Sequence, residues 1–172
     1  MRLSSGFLLI ALAAGLLAQQ PGKDLNDRYR TPEGREGIAR NLGSEDRVNR
    51  MKPATIAAKL DLKPGMTVAD LGTGVGMLLP ELSKAVGPTG KVLAEDIFPD
   101  FLEKARATAK QHGLTNVEYV KGTENDPNLP AGQVDLAVAV DAYHHFNHPS
   151  QMLAGIRKGL KTGGRLAIID DY

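Results

Sequence analysis

Cysteine is absent from the 172 residues. This excludes disulfides, thiolate metal sites and a cysteine nucleophile, and it leaves the redox compartment undetermined. An excess of either charge is also missing, because 21 Lys and Arg against 20 Asp and Glu leave a formal net charge of +1. Nothing in the composition therefore calls for a nucleic-acid groove or a polybasic membrane patch, and a small polar or neutral partner suits the chain better. The apolar run from Gly6 to Ala18 is shorter than the ~20 residues that a spanning helix needs. It follows Arg2 and ends in small residues before Gln19, Gln20 and Pro21, which is the shape of a secretory signal peptide. Export to the periplasm or medium is expected, with no stable membrane span after processing. The alternative is a cytoplasmic protein in which the run is a helix of the fold. No cysteine follows the run, so a lipid anchor of the usual bacterial kind is excluded. Internal repeats and low-complexity tracts are missing too.

Apolar types make up 42% of the chain, enough for one hydrophobic core in one domain of this length. Residues 1–20 are the signal-like segment, 21–52 a charged arm, and 53–172 the folded domain. From Asp24 to Met51 the arm mixes Arg28, Arg30, Arg35, Arg40, Arg47 and Arg50 with Glu33, Glu36, Glu45 and Asp46, and carries glycines. It reads as a mobile arm or as short helices. Tyr29 and Arg30 could reach a pocket if it folds back. Pro53 suits a helix N-terminus, and Ile56, Ala57 and Leu60 repeat at helical spacing up to the Lys63-Pro64-Gly65 break.

Strands and helices then alternate. Strands are expected over Met66–Leu71, Lys91–Asp96, Val117–Val120, Val134–Val140 and Leu166–Ile169, and helices over Met77–Val86, Phe101–His112 and Met152–Leu160, with Gly163-Gly164 turning the chain before the last strand. The near-unbroken apolar run at 134–140 suits the buried middle of a parallel sheet. The βαβαβ order predicts an α/β domain with a Rossmann-like, doubly wound parallel sheet of about five strands and helices on both faces.

The segment Val68-Ala69-Asp70-Leu71-Gly72-Thr73-Gly74-Val75-Gly76 places an acid at the end of the first strand and glycines at alternate positions after it. Glycine lets the backbone turn sharply and approach a ligand, and the amides that follow face the crevice beyond the strand ends. A dinucleotide site would put its third glycine at Met77. Asp70 would also repel a pyrophosphate, whereas it suits a ligand with an ammonium group. At the end of the second strand Asp96 lies 24 residues after Gly72, near the ~20-residue spacing at which an acid meets a ribose. If Val92 and Ala94 share one face of that strand, Asp96 continues it and Glu95 does not.

Asp70-x-Gly72-x-Gly74-x-Gly76 followed by Ala94-Glu95-Asp96-Ile97 resembles the first two motifs of class I S-adenosylmethionine-dependent methyltransferases. The resemblance runs from about Ala54 to the C-terminus. It includes Val120-Lys121-Gly122-Thr123-Glu124-Asn125-Asp126, similar to the adenine-binding turn, and Leu160-Lys161-Thr162-Gly163-Gly164-Arg165-Leu166, similar to the turn before strand five. It implies S-adenosyl-L-methionine as cofactor and methyl transfer to a small-molecule acceptor. Asp70 and the loop Gly72, Thr73, Gly74 and Gly76 would hold the methionine end, Asp96 the ribose, and Thr123 and Glu124 the adenine, with Ile97 a further cofactor contact. The commonest residue at position 123 would be aspartate. Family members usually continue past strand five with a helix and a hairpin, while this sequence stops at Asp170-Asp171-Tyr172. Either a truncated form of a longer gene product or a chain that self-associates through the uncovered edge of strand five is therefore expected.

The cofactor carries the reactivity in such a reaction, so the protein positions the acceptor and, where needed, removes its proton. Asp141-Ala142-Tyr143-His144-His145-Phe146 resembles the segment that faces the acceptor in this family. Asp141, His144 and His145 are the candidate catalytic residues, with Asp141 also a cofactor contact. Adjacent histidines diverge, so one of the two is expected to face the acceptor, and histidine titrates near neutral pH. His144, His145 and His148 match no strong zinc signature, so no metal site is expected. Two other readings remain open, a silent cofactor-binding or interaction module and a nicotinamide-dependent oxidoreductase.

Overall fold

The computed structural model describes residues 26–170. The signal-like segment 1–20 lies outside the described residues. A 3-10 turn over Asp27–Arg30 leads into helices α1 (Pro32–Leu42), α2 (Glu45–Met51) and α3 (Pro53–Lys59). Then come β1 (Thr67–Leu71), α4 (Leu79–Val86), β2 (Lys91–Asp96), α5 (Pro99–Gln111), β3 (Val117–Lys121), β4 (Val134–Val140), α6 (Pro149–Gly159) and β5 (Leu160–Ile169), with a 3-10 turn at Tyr143–His145 before α6. The five strands form one sheet in the order β3-β2-β1-β4-β5. All four pairings are parallel. This is the Rossmann-like architecture expected from the alternation of strands and helices.

Strand side chains alternate between the two faces. Val68, Val92, Ala94, Leu136 and Val138 pack with Ile56 of α3, Leu82 and Val86 of α4 and Ala105 of α5. On the opposite face Ala69, Leu71, Leu93, Ala137 and Ala139 pack with Met152 and Ile156 of α6. Full burial of a leucine or valine stabilises by about 1.5–3 kcal/mol, so these layers hold the strand ends in register. Because Val92 and Ala94 share a face, Asp96 is carried on that same face beside Asp70. Glu95, paired with Leu71 across β1 and β2, belongs to the other.

Of the boundaries that differ from the sequence expectation, three bear on the loop and on the last strand and helix. Helix α4 begins at Leu79, not Met77, because Gly76 sits at φ +82 and residues before it form successive turns. Pro149 begins α6 three residues earlier than expected, since proline without an amide hydrogen suits the first turn. The Gly163-Gly164 doublet is an irregularity inside β5 and does not precede the strand. Val134 pairs with Leu160 while Leu136 pairs with Arg165, and Gly163, at φ +78, absorbs the extra residues. On the side away from β4, strand β5 has no partner among the described residues, and Ile168 is 43% exposed.

From Asp27 to Met51 the charged arm is helical. Thr31 Oγ1 accepts from Gly34 N at 3.1 Å, with Pro32 at the first helical position of α1. Ser44 Oγ accepts from Arg47 N at the start of α2. Both are helix start signals of ordinary kind. Gly34 breaks nothing: the Arg28 carbonyl oxygen lies 2.0 Å from where its Cβ would stand, so the preceding turn is packed onto α1. Arg35 Nε meets Asp100 Oδ2 at 2.6 Å and Lys104 Nζ meets Glu36 Oε2 at 2.7 Å, which docks the arm on α5.

Candidate active site

The carboxyl ends of β1, β2 and β4 open into one cavity of about 470 Å³, within the ~300–1,000 Å³ typical of small-molecule sites. Gly72, Thr73 and Gly74 form its floor, Asp96, Ile97 and Glu124 one side, and Asp141 and His145 another. The arm supplies the cover through Asn26, Tyr29, Leu42 and Arg47. All three loop glycines have positive φ. At Gly72 a Cβ would stand 3.0 Å from Ala142 Cβ, so the loop could not lie against the end of β4 with any larger residue.

Several expected residues stand elsewhere. Asp70 is fully buried behind the loop and absent from the cavity wall; its Oδ2 accepts from Thr73 Oγ1 at 2.7 Å. There it orients the loop through Thr73. Gly76 lies behind the wall against Leu79 and Ala105. Thr123 is turned away: its Oγ1 accepts from Asn125 N and Asp126 N and closes its own turn, leaving Glu124 at the cavity. Of the histidine pair, His145 faces the cavity, whereas His144 turns to the end of β5, with Nδ1 2.9 Å from Asp170 Oδ1. Asp141, His144 and Asp170 bring possible ligand atoms within 4.8 Å of one another. The His144 to Asp170 hydrogen bonds and the Arg47 guanidinium on Asp141 account for that arrangement.

Three cavity residues carried no local sequence signal. Arg47 Nη2 donates to Asp141 Oδ2, a partner 94 positions away, while its Nε is buried without a hydrogen bond. Asp141 holds φ +52 at the end of β4, a conformation that non-glycine residues adopt at a cost and that gathers at functional sites. Glu95 is buried with Oε2 accepting from Gly72 N at 3.2 Å and Oε1 without a partner. Its carboxylate fills the space beside Gly122, where a Cβ would come within 1.8 Å of Oε1. Asn26 bridges His145 and Asn147.

The electrostatics favour a cation. Burial pushes Asp70 up to about 7, with the neighbouring Asp96 adding to the shift. Burial likewise raises Asp96 to about 6, opposed by its hydrogen bonds from Phe98 N and Gly74 N. Glu95 is driven well above the usual carboxylate range by burial and then by Asp96. Carboxyl groups raised in this way hold protons in the folded state that the unfolded chain has lost. Their stabilisation is complete below about pH 4 and is lost as pH rises through 6 to 7. A bound cation reverses the preference. Binding of S-adenosylmethionine should therefore tighten between pH 5 and pH 7, by up to about tenfold per pH unit for each carboxyl that must ionise. Calorimetric titration in two buffers should also record net proton release. A flat profile from pH 5 to 8 would show that these carboxylates do not hold the ligand.

Residues 68–164 match the family model described as a methyltransferase domain. The chain belongs to the methyltransferase domain family. An S-adenosylmethionine-dependent methyltransferase from Aquifex aeolicus superposes with a TM-score of 0.74 and 36% sequence identity, over 78% of this chain and 71% of that one. A ubiquinone/menaquinone biosynthesis C-methyltransferase of Burkholderia cenocepacia is 28% identical over 72% of the chain and 50% of its own length. An uncharacterised 37.1 kDa protein from transposon TN4556 of Streptomyces fradiae is 31% identical over 97% of the chain and 56% of its own length. The chain thus spans about half the length of the curated relatives it matches. Membership of this methyltransferase family implies S-adenosylmethionine as the cofactor. The site fits a sulfonium and ammonium compound, because the buried Glu95 Oε1 is left without a donor and the carboxylates beside the loop are bonded only to amides and to the Thr73 hydroxyl.

Proposed function

We propose that this chain transfers the methyl group of S-adenosylmethionine to a small-molecule acceptor. The observation that carries the reading is the convergence of Asp70, Glu95 and Asp96 on one glycine loop, none of them ion-paired among the described residues and Glu95 Oε1 without a donor there. Asp96 is placed to accept from ribose hydroxyls, Ile97 and Glu124 stand where the adenine would lie, and the Gly72 to Gly74 backbone takes the methionine end. Arg47, which lines the cavity beside Asp141, is the group for the methionine carboxylate. When bound, the cofactor supplies a methyl group on a good leaving group. The protein's own part is to shut out water with the arm, hold the acceptor beside Asp141 and Phe146, and take its proton at His145. Burial and the adjacent His144 lower the His145 pKa, so the imidazole is a neutral base at physiological pH.

Thermal unfolding with S-adenosylhomocysteine tests the reading. At about a hundred times its Kd, a ligand specific to the native state adds about 2.7 kcal/mol, which for a chain of this size raises Tm by roughly 5–10 °C. A rise with NAD and none with S-adenosylhomocysteine would replace it by the oxidoreductase. A rise with S-adenosylhomocysteine but no turnover across a panel of acceptors would leave a silent binding module.

A further inference from the structure

The arm meets the histidine of the site through a chain of three side chains. Asn26 Nδ2 donates to the His145 backbone carbonyl at 3.1 Å and to Asn147 Oδ1 at 2.8 Å. A carbonyl oxygen only accepts, so these bonds fix which end of the Asn26 amide is nitrogen. The other end, Oδ1, lies 2.8 Å from His145 Nδ1. It too only accepts, so Nδ1 must carry the hydrogen. Nε2 of a neutral ring is then the bare lone pair. It stands 3.3 Å from the Tyr29 hydroxyl, with the two rings edge to face at a centroid distance of 4.8 Å. The Tyr29 hydroxyl must therefore be the donor in that contact. Both of its residues line the cavity.

We propose that Tyr29 and His145 form a proton relay for the methyl acceptor, and that Asn26 is a positioning residue that sets the relay's direction by holding His145 as the Nδ1–H tautomer. This rests on the methyltransferase reading. An acceptor O–H or N–H gives its proton to the Tyr29 oxygen while the Tyr29 proton passes to His145 Nε2. Tyr29 ends as it began, neutral, and the imidazole gains one proton and one positive charge, later lost to solvent. Relay through tyrosine fits the surroundings, because burial and then the nearby Asp96 and Asp141 raise the Tyr29 pKa, so a lasting phenolate is disfavoured and transit is not. The groups facing His145 divide: His144 opposes an imidazolium, whereas Asp141 and Asp170 favour it. The relay places the acceptor's reacting atom beside the arm, at the Tyr29 hydroxyl, and restricts it to acceptors that lose a proton on methylation.

Nitrogen-15 NMR of the histidine rings in the full chain, without ligand, reads the tautomer directly. Wild type should show His145 protonated at Nδ1 and bare at Nε2. Asn26→Leu should release the ring toward the Nε2–H form that imidazole prefers in water. Asn26→Asp should keep the Nδ1–H tautomer and raise the His145 pKa by about one unit or more, as a facing carboxylate does. Tyr29→Phe, which keeps the ring but removes the donor, should move the Nε2 resonance and leave Nδ1 in place. An Nε2–H tautomer in wild type overturns the relay, as do Asn26→Leu spectra identical to wild type. These spectra are independent of S-adenosylhomocysteine binding. Failure of the relay and failure of the methyltransferase reading are thus separate results.

Discussion

Replacing Asp96 with alanine is expected to weaken S-adenosylhomocysteine binding about ten- to hundredfold. A hydrogen bond to a charged group is worth roughly 1.5–3 kcal/mol, and each 1.4 kcal/mol is about tenfold in affinity. Asp96 already spends one oxygen on Phe98 N at 2.9 Å and the other on Gly74 N at 3.0 Å. A carboxylate has about four acceptor positions, so two remain for a ribose diol in the cavity. The same bonds tie the glycine loop to the end of β2, and alanine therefore removes both the ligand contact and the loop's anchor. Asp96→Asn separates the two, since one amide oxygen can keep one backbone bond while the charge is gone. Isothermal titration should place the asparagine variant between wild type and alanine. A loss of less than about threefold for alanine would remove Asp96 from the ribose.

Gly76→Ala should cost about 2–6 kcal/mol of stability without touching the cavity. The residue has φ +82, and left-handed strain at a non-glycine costs about 1–3 kcal/mol. Its Cβ would stand 2.8 Å from Leu79 Cδ1 and 3.1 Å from the Ala105 backbone, in the middle of the packed face between α4 and α5. Overpacking of that kind adds about 1–3 kcal/mol. For a chain of this size the sum lowers Tm by roughly 4–24 °C. Gly113 is the matched control: at φ +65 with nothing within 4 Å of an added Cβ, it lacks the packing clash. Urea unfolding of Gly113→Ala should show the smaller loss. Equal losses would mean that backbone conformation alone requires glycine at position 76.

The contrast between the loop and the arm shows where sequence reading succeeds. Asp70, the alternate glycines and Asp96 meet in the structure as the spacing implies, because they occupy adjacent turns at the ends of two neighbouring strands and their spacing is local. The arm was harder. Its cap signals at Thr31-Pro32 and Ser44-Glu45 stand in the sequence and announce helices, yet no local pattern says that Arg47 will meet Asp141 or that Asn26 will meet His145, 94 and 119 positions away. Glu95 differs again. Alternation sets it on the face opposite Asp96, and because β2 is covered on both faces its side chain is buried too.

By itself, the sequence determined the parallel sheet, the order of its elements and the glycine loop at the end of β1. Those follow from period-two burial in strands, helical spacing between them and glycine where the backbone must turn, and each is a property of a few consecutive residues. Tertiary structure alone decided that Asp70 stands behind Thr73, that His145 and not His144 faces the cavity, and that the arm closes over both. The physical reason is the same in each case. A side chain's direction at a strand end is shared among alternatives of similar local energy, and the choice falls to the partner that packing brings from a distant part of the chain.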